Sequence, residues 1–239
     1  GYNVLHYTLE LSESYTGRRY DAFFSQIPVD NLDKHKKEIE ALTPDLPGEL
    51  IIREFPTGKT TTNALESHIK KVQDLGIKPD LVIIDYIDLL ATKKRNVDRK
   101  GEIDDIYTSI KGLARELDIP IWSVSQVNRA GAKDNIIEGD KAAGSYDKLM
   151  ITDFSMSLSR KKEDKVNGTG RLHIMKNRYG MDGFTFKADV NTSTGNIEVG
   201  DEYDGDNEDA PIPNNNNGYN DFDSLDKKLL QTKFFELNT

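Results

Sequence analysis

The sequence contains no cysteine among its 239 residues. The chain therefore forms no disulfide bond and offers no thiolate to a metal ion. It also has no apolar run near the roughly 20 residues that a membrane-spanning helix needs. The first residues lack the basic and apolar regions of a signal peptide. We therefore expect a soluble cytoplasmic protein, long enough to bury a full core.

Acidic residues dominate the charge, but they are concentrated near the end of the chain. The formal net charge is −9, of which residues 201–239 carry −7 and the first 200 residues only −2. Residues 201–220 are also rich in asparagine and show no apolar periodicity, which predicts a disordered acidic linker. A nearly neutral body can still bind phosphate groups through local basic loops, so nucleic-acid binding is not excluded.

The most informative segment is residues 81–90, in which an unbroken aliphatic run ends on Asp85. Such a run, bounded by Pro79, is typical of a central parallel strand that is covered on both faces. An acid at the carboxyl end of this strand lies where open α/β sheets bind ligands. In P-loop nucleotide hydrolases that acid holds Mg²⁺, directly or through water, but an acid can also merely end a core strand. Other segments must decide between these roles.

Strand and helix patterns alternate along the chain. This alternation predicts an α/β fold, with a mostly parallel sheet flanked by helices and with antiparallel strands at one edge. The predicted helices are 14–26, 62–75 and 102–117. The predicted strands are 4–11, 50–55, 81–85, 121–125, 149–159, 171–176, 184–188 and 197–199.

The segments between and after these elements suggest three units. Residues 1–200 form the predicted core, in which 128–146 is a long polar connection and 161–170 a hairpin tip. The acidic linker 201–220 follows. Apolar residues return in 221–239, which we expect to be an amphipathic helix. This helix either docks on its own domain or a neighbour, or it recruits another protein.

Residues 57–60, Thr-Gly-Lys-Thr, resemble the end of a phosphate-binding loop. The full pattern requires a glycine five residues before Gly58, and Arg53 stands there. Pro56 also removes one backbone N–H donor from the segment. We therefore interpret 57–60 as a turn before the following helix and not as a working P-loop.

Polar residues follow three of the predicted strands. The apolar part of the first strand, 4–9, delivers Glu10 at its end, Asp85 ends the central strand, and Gln126 follows strand 121–125. Because neighbouring parallel strands end along one edge of a sheet, these three side chains are expected to converge. One carboxylate there can orient an attacking water, another can hold Mg²⁺, and an amide can sense a γ-phosphate.

Two cations stand at the end of the predicted strand 171–176. Lys176 and Arg178 lie two residues apart, so on an extended strand they share one face. They form either a solvated basic edge or a pair of trans-acting cations. In the second case they would stabilise phosphoryl charge in an adjacent subunit, an effect worth roughly 10³-fold or more in rate in known cases.

With these residues in place, the chain resembles the ATPase domain of DnaB-type replicative DNA helicases, in a phage-like version. The resemblance covers most of residues 2–188. Its motifs are Tyr-Thr-Leu-Glu-Leu-Ser at 7–12, the strand segment 81–90, the helix–strand block 98–129 and Met-Lys-Asn-Arg-Tyr-Gly at 175–180. The family implies a RecA-like core that uses ATP and Mg²⁺ and assembles into a hexamer.

The resemblance implies a role for each candidate residue. Glu10 would polarise the attacking water, Asp85 would support Mg²⁺, and Gln126 would couple the γ-phosphate to the DNA-binding loops. Lys176 and Arg178 would reach the nucleotide of a neighbouring subunit. These five residues are therefore the expected catalytic and nucleotide-binding set.

The family also threads single-stranded DNA through the central channel of its ring. The corresponding loops here would be residues 93–100 and 133–145. Ala142 departs from the family pattern, because bacterial relatives have an acid there. The resemblance implies contacts to the DNA backbone without reading of bases. A primase or a helicase loader would be a further partner. The expected DNA-binding residues are Lys133, Lys141, Gly144 and Ser145.

One departure from the family is larger. The family's P-loop precedes the strand that begins here near Asn3, so this sequence does not contain it, and its N-terminal domain is absent too. The sequence is either a truncated helicase or a protein that has discarded nucleotide binding, and the retained site residues favour truncation. We expect these 239 residues alone not to hydrolyse ATP competently. The alternatives are a RecA-type recombinase that forms filaments and a non-catalytic RecA-like adaptor or loader.

Overall fold

A computed structural model describes residues 1–42, 47–92, 99–126, 136–137 and 146–203. Two four-stranded sheets and six helices organise these residues, and none of the helices is long and apolar enough to cross a membrane. The helices are α1 (Glu13–Ser25), α2 (Lys36–Leu42), α3 (Thr62–Asp74), α4 (Arg99–Leu117), α5 (Tyr146–Ile151) and α6 (Lys162–Asn167). The strands are β1 (Val4–Thr8), β2 (Leu50–Glu54), β3 (Leu81–Asp85), β4 (Ile121–Ser123), β5 (Phe154–Ser159), β6 (Thr169–Asn177), β7 (Thr185–Asn191) and β8 (Asn196–Glu202).

The first sheet is parallel throughout, with the strand order β2-β1-β3-β4. The aliphatic run of β3 lies in the interior of this sheet, as expected for a strand that must be covered on both faces. Thr8 of β1 pairs with Asp85 of β3, and Ile84 of β3 pairs with Ser123 of β4. The carboxyl ends of three adjacent strands therefore lie level with one another.

Helices cover both faces of the parallel sheet. Consecutive residues of a strand point to opposite faces, and in β1 His6 contacts Tyr20 of α1 whereas Tyr7 contacts His68 of α3. The apolar core lies on the α3 side, where α4 also contributes its apolar face. That core contains Leu5, Tyr7, Leu65, Ile69, Val82, Ile84, Ile106, Ile110 and Leu113.

The second sheet is antiparallel, with the order β5-β6-β7-β8. The α/β class and the antiparallel strands are thus confirmed, but in the described residues these strands form a sheet of their own. Phe154 of its edge strand β5 lies beside Trp122 of the edge strand β4 of the parallel sheet, with the ring centroids 5.9 Å apart.

Several boundaries differ from the prediction. Residues 149–159 do not form one strand, because α5 continues to Ile151 and β5 begins only at Phe154. The predicted hairpin tip at 161–170 contains α6, which ends on Gly168 at φ 70°. The strand β8 runs to Glu202, two residues beyond the boundary predicted at 200. The predicted tail helix and most of the acidic linker lie outside the described residues.

Candidate active site

The parallel sheet brings the three polar strand ends to one edge. Glu10 follows β1 by two residues, Asp85 ends β3, and Gln126 follows β4 by three. Since β3 is bonded to β1 on one side and to β4 on the other, these residues follow three adjacent strands. The three positions therefore share one edge of the sheet.

The turn that carries Glu10 is held by hydrogen bonds on both sides of this residue. The Leu9 N–H donates to the Asp85 carbonyl at 2.8 Å, and the Thr57 hydroxyl donates to the Leu9 carbonyl. The buried Thr8 hydroxyl donates to the Leu11 carbonyl at 2.8 Å and accepts from the Leu11 N–H at 3.0 Å. Glu10 itself is exposed. The backbone is thus fixed while the residue faces solvent.

Asp85 is half-buried, and its charge acts on His6 of β1 and Tyr20 of α1. His6 and Tyr20 share a hydrogen bond of 2.7 Å. Burial lowers the pKa of His6, and the charge of Asp85 opposes that shift. Burial also raises the pKa of Tyr20, with the negative charge of Asp85 as a second cause. Within the described residues no lysine or arginine forms an ion pair with Asp85.

A serine ties the ends of β3 and β4 together. The Ser123 hydroxyl donates to the Ile84 carbonyl at 2.7 Å and accepts from the Ile87 N–H at 3.0 Å. This pair of bonds fixes the chain direction after Asp85. Gln126, three residues beyond Ser123, is exposed.

The two candidate cations lie on the second sheet. Lys176 is on β6 and donates to the carbonyls of Leu149 and Met150, at 2.7 and 2.9 Å. Arg178 follows β6, and its guanidinium lies 3.1 Å from the Asp153 carboxylate. These contacts are with α5 and the residues that follow it, and not with the polar edge of the parallel sheet.

Residues 57–60 form the predicted turn before α3. Gly58 has φ 69°, and its N–H donates to the Leu89 carbonyl at 2.9 Å. The Thr60 carbonyl accepts from the Ala91 N–H at 2.8 Å. Because this backbone is bonded to the segment after β3, it does not form a cradle of open N–H groups for phosphate.

Among the described residues, no three His, Asp or Glu side chains come together as a metal cluster. Mg²⁺ is commonly held by one or two carboxylates together with water and substrate phosphates. A single carboxylate such as Asp85, which no lysine or arginine of the described residues neutralises, fits that chemistry.

The predicted DNA-binding residues lie outside the described part of the chain. This holds for Lys133, Lys141, Gly144 and Ser145, and for most of the loop 93–100.

The structure also contains polar residues that the sequence analysis missed. Asp88 pairs with Lys148, and Asp153 pairs with Lys111. Both pairs join segments that are far apart in the sequence, so no local motif could have indicated them.

Proteins of known families resemble this chain in sequence. A family model described as the DnaB-like helicase C-terminal domain matches residues 2–189. A DnaB-like replicative helicase of Enterobacteria phage T4 is 22% identical over 196 residues, which cover 75% of this chain and 40% of that protein. The chain thus spans less than half the length of this relative.

Solved structures agree with the fold. A DnaB-like replicative helicase, described with its interactions with primase, superposes with a TM-score of 0.69 at 20% identity and covers 82% of this chain and 50% of that one. A RadB recombinase gives a lower TM-score of 0.53 at 16% identity, covering 84% of this chain and 80% of that one. Because the family model matches most of its residues, the chain belongs to the DnaB-like helicase C-terminal domain family.

Proposed function

We propose that this chain is the ATP-hydrolysing motor domain of a replicative helicase that translocates on single-stranded DNA and unwinds duplex DNA. The observation that carries this proposal is the placement of Glu10, Asp85 and Gln126 after three adjacent parallel strands. An acid–acid–amide set at one sheet edge can orient water, support a metal ion and respond to a terminal phosphate.

Glu10 is the residue proposed to orient and polarise the attacking water. The residue is exposed, and the bonds of Leu9 and Leu11 hold its backbone on both sides. A positioned general base typically contributes about 10²- to 10⁴-fold to a rate. Because the backbone is held before any ligand arrives, little reorganisation is needed to place the base.

Asp85 is proposed to hold Mg²⁺, directly or through a bound water. When bound, the ion would neutralise the charge that develops on the transferred phosphoryl group. Gln126 follows the neighbouring strand, where its amide can donate to a terminal phosphate oxygen or accept from a water. The bond between Ser123 and the Ile84 carbonyl keeps these two strand ends in register.

Lys176 and Arg178 are proposed to act on the nucleotide of a neighbouring subunit in a homo-hexamer. Their polar contacts among the described residues are with α5 and Asp153, and not with Glu10, Asp85 or Gln126 of their own subunit. Cations that approach a nucleotide from a second subunit make hydrolysis depend on assembly.

The phosphate cradle is proposed to come from a P-loop strand outside these 239 residues. Two observations support this: β4 and β5 are edge strands of their sheets, and they carry exposed apolar side chains. Trp122 is 46% exposed and lies beside Phe154 at the gap between the sheets. A further strand at this gap would cover both edges.

The DNA and protein partners are proposed from the family resemblance. Lys133, Lys141, Gly144 and Ser145 would contact the backbone of single-stranded DNA. A primase or a helicase loader is a further proposed partner, and a DnaB-like helicase has been solved with its interactions with primase.

The test uses the full-length gene product and compares Glu10→Gln with wild type. We expect ATP binding to persist and DNA-stimulated hydrolysis to fall by about 10²-fold or more. Glu40→Gln, an exposed glutamate on α2, is the matched control and should retain activity. Near-normal turnover of Glu10→Gln would contradict the assignment.

Experiments on the assembled protein distinguish the helicase from the recombinase and adaptor alternatives. Arg178→Ala should also be inactive, and mixing it with Glu10→Gln subunits should restore part of the activity if Arg178 acts in trans. Full activity of Arg178→Ala alone would remove its proposed role. Filaments in electron micrographs in place of rings would favour a recombinase, and failure of the full-length protein to bind ATP would favour an adaptor.

A further inference from the structure

A buried ion pair links α5 to the segment that follows Asp85. The Lys148 ammonium lies 2.6 Å from the Asp88 carboxylate, and the two side chains are 3% and 14% exposed. The Tyr107 hydroxyl donates to the same carboxylate at 2.9 Å. Ser125 joins the group, donating to Asp88 at 3.2 Å and accepting from Lys148 at 3.2 Å.

Apolar side chains of similar volume often replace a buried ion pair without loss of stability. Desolvation of two buried charges roughly cancels their attraction, so a buried ion pair is a weak source of stability and can serve to fix a geometry. Asp88 lies three residues after Asp85, and Ser125 directly precedes Gln126. The pair therefore joins α5 to the two strand ends that carry the proposed nucleotide residues.

The same turn of α5 is bonded to the candidate cation Lys176. Lys176 donates to the carbonyls of Leu149 and Met150 in the last turn of the helix. Burial lowers the pKa of Lys176, and the charges of Arg178 and Lys111 lower it further. Because Leu149 directly follows Lys148, the ion pair and the Lys176 contact lie within one turn of helix.

Asp153 completes the connection from α5 to Arg178. Its carboxylate accepts from Lys111 at 2.9 Å and lies 3.1 Å from the Arg178 guanidinium. Its carbonyl accepts from the Arg178 N–H at 2.9 Å. Lys111 also donates to the Ile151 carbonyl at 2.6 Å. The hydrogen bond from Lys111 is the main reason that the pKa of Asp153 is lowered.

We propose that Lys148 and Asp88 are positioning residues which, through α5, set where Lys176 and Arg178 stand relative to the polar edge of their own subunit. A helix of six residues is about 9 Å long, which is less than two turns, so Lys148 is directly joined to the carbonyls of Leu149 and Met150. A shift of Asp88 or Ser125 would therefore move the carbonyls that hold Lys176. This inference rests on the proposed function. If that function holds, the contact links the nucleotide state of one subunit to the cations that the same subunit presents to the next.

The first test measures hydrogen exchange of the Arg178 amide in the full-length protein. Replacing Asp88 by leucine and Lys148 by methionine together removes both charges without leaving one of them alone in the interior. We expect this double variant to remain folded with a somewhat lower unfolding midpoint, because the buried Tyr107 hydroxyl loses its acceptor, while exchange at residues 176–178 becomes severalfold faster. Lys71→Met, an exposed lysine on α3, is the matched control and should leave exchange unchanged. Wild-type exchange in a stable double variant would overturn the proposal.

The second test measures ATP hydrolysis by the same proteins. The double variant should lower kcat at saturating ATP by at least about fivefold and leave KM near the wild-type value. Unchanged kcat beside an active wild type would overturn the proposal. If the wild-type protein hydrolyses no ATP, the proposed function fails, and the exchange measurement still decides whether Lys148 and Asp88 position the cations.

Discussion

The two sheets of this protein are stabilised in different ways. The parallel sheet buries side chains such as Leu5, Tyr7 and Ile84 almost completely between its helices. In the antiparallel sheet, β5 instead buries Ser157 and Ser159 and exposes an apolar face. The exposed apolar residues of β5 are Phe154, Met156 and Leu158.

A buried polar group joins the antiparallel sheet to α6. Asp164 and Arg171 form an ion pair of 2.7 Å, and both side chains are 3% exposed. The Thr169 hydroxyl and the Lys161 N–H also donate to the Asp164 carboxylate, at 3.1 and 2.8 Å.

The polar residues at the edge of the parallel sheet differ from this buried group. Glu10 and Gln126 are exposed beyond the ends of β1 and β4. Substituting them should therefore change stability little, whereas removing one partner of the buried Asp164–Arg171 pair should strongly lower the free energy of unfolding.

The largest loss of stability is expected from Asp164→Asn. Removing the charge leaves the Arg171 guanidinium buried without its ionic partner, which typically costs about 3–5 kcal/mol of unfolding free energy. Urea denaturation at pH 7 measures this difference. A change well below about 1 kcal/mol would show that the second sheet does not depend on the pair.

The same pair predicts a pH dependence. Burial alone would raise the pKa of Asp164, but the bonds from Lys161, Arg171 and Thr169 bring it below its usual value of 3.8. The carboxylate therefore binds a proton less readily in the folded state than in the unfolded state. The contribution of this carboxylate to the free energy of unfolding is complete above about pH 4. It is lost as the pH falls through the lower pKa that the group has in the folded state. The stability difference between wild type and Asp164→Asn should accordingly narrow below about pH 4.

An intermediate loss of unfolding free energy is expected from Leu65→Ala. Leu65 lies fully buried on α3 against the parallel sheet, and such a truncation costs about 2–5 kcal/mol through lost burial and the cavity left behind. Met156→Ala on the exposed face of β5, where Met156 is 43% exposed, is the contrasting variant and should change stability by less than about 0.5 kcal/mol. If both variants lowered the midpoint of thermal unfolding equally, the proposed difference in how the two sheets are stabilised would be contradicted.

The smallest change in unfolding free energy is expected from Asp33→Asn. Asp33 and Arg18 form an exposed ion pair of 3.0 Å, and the hydrogen bond from Arg18 lowers the pKa of Asp33. Exposed pairs are screened by water and salt, so the unfolding midpoint should stay within error of wild type. A clear destabilisation at low ionic strength that disappears in added salt would show that this surface pair contributes after all.

Prediction from the sequence succeeded where a repeating apolar pattern was long. The strand 81–85 is reproduced residue for residue, and the helix predicted at 62–75 ends one residue earlier. The run 149–159 failed, because a short apolar stretch suits a strand or a helix equally well. Residues 149–151 are helical, and Lys111 and Lys176 donate hydrogen bonds to carbonyl groups of these residues at the end of α5. Those partners come from other elements, so no local pattern could indicate them.

Local periodicity was enough to predict the α/β class, the buried central strand and polar residues at three strand ends. That these three strands are neighbours, with the order β1-β3-β4, was decided by the folded sheet. The pairing of Asp88 with Lys148 and of Asp164 with Arg171 emerged only from the folded chain. The first of these pairs joins residues 60 apart in the sequence. A buried charge requires a partner, but which partner it finds depends on how the elements pack.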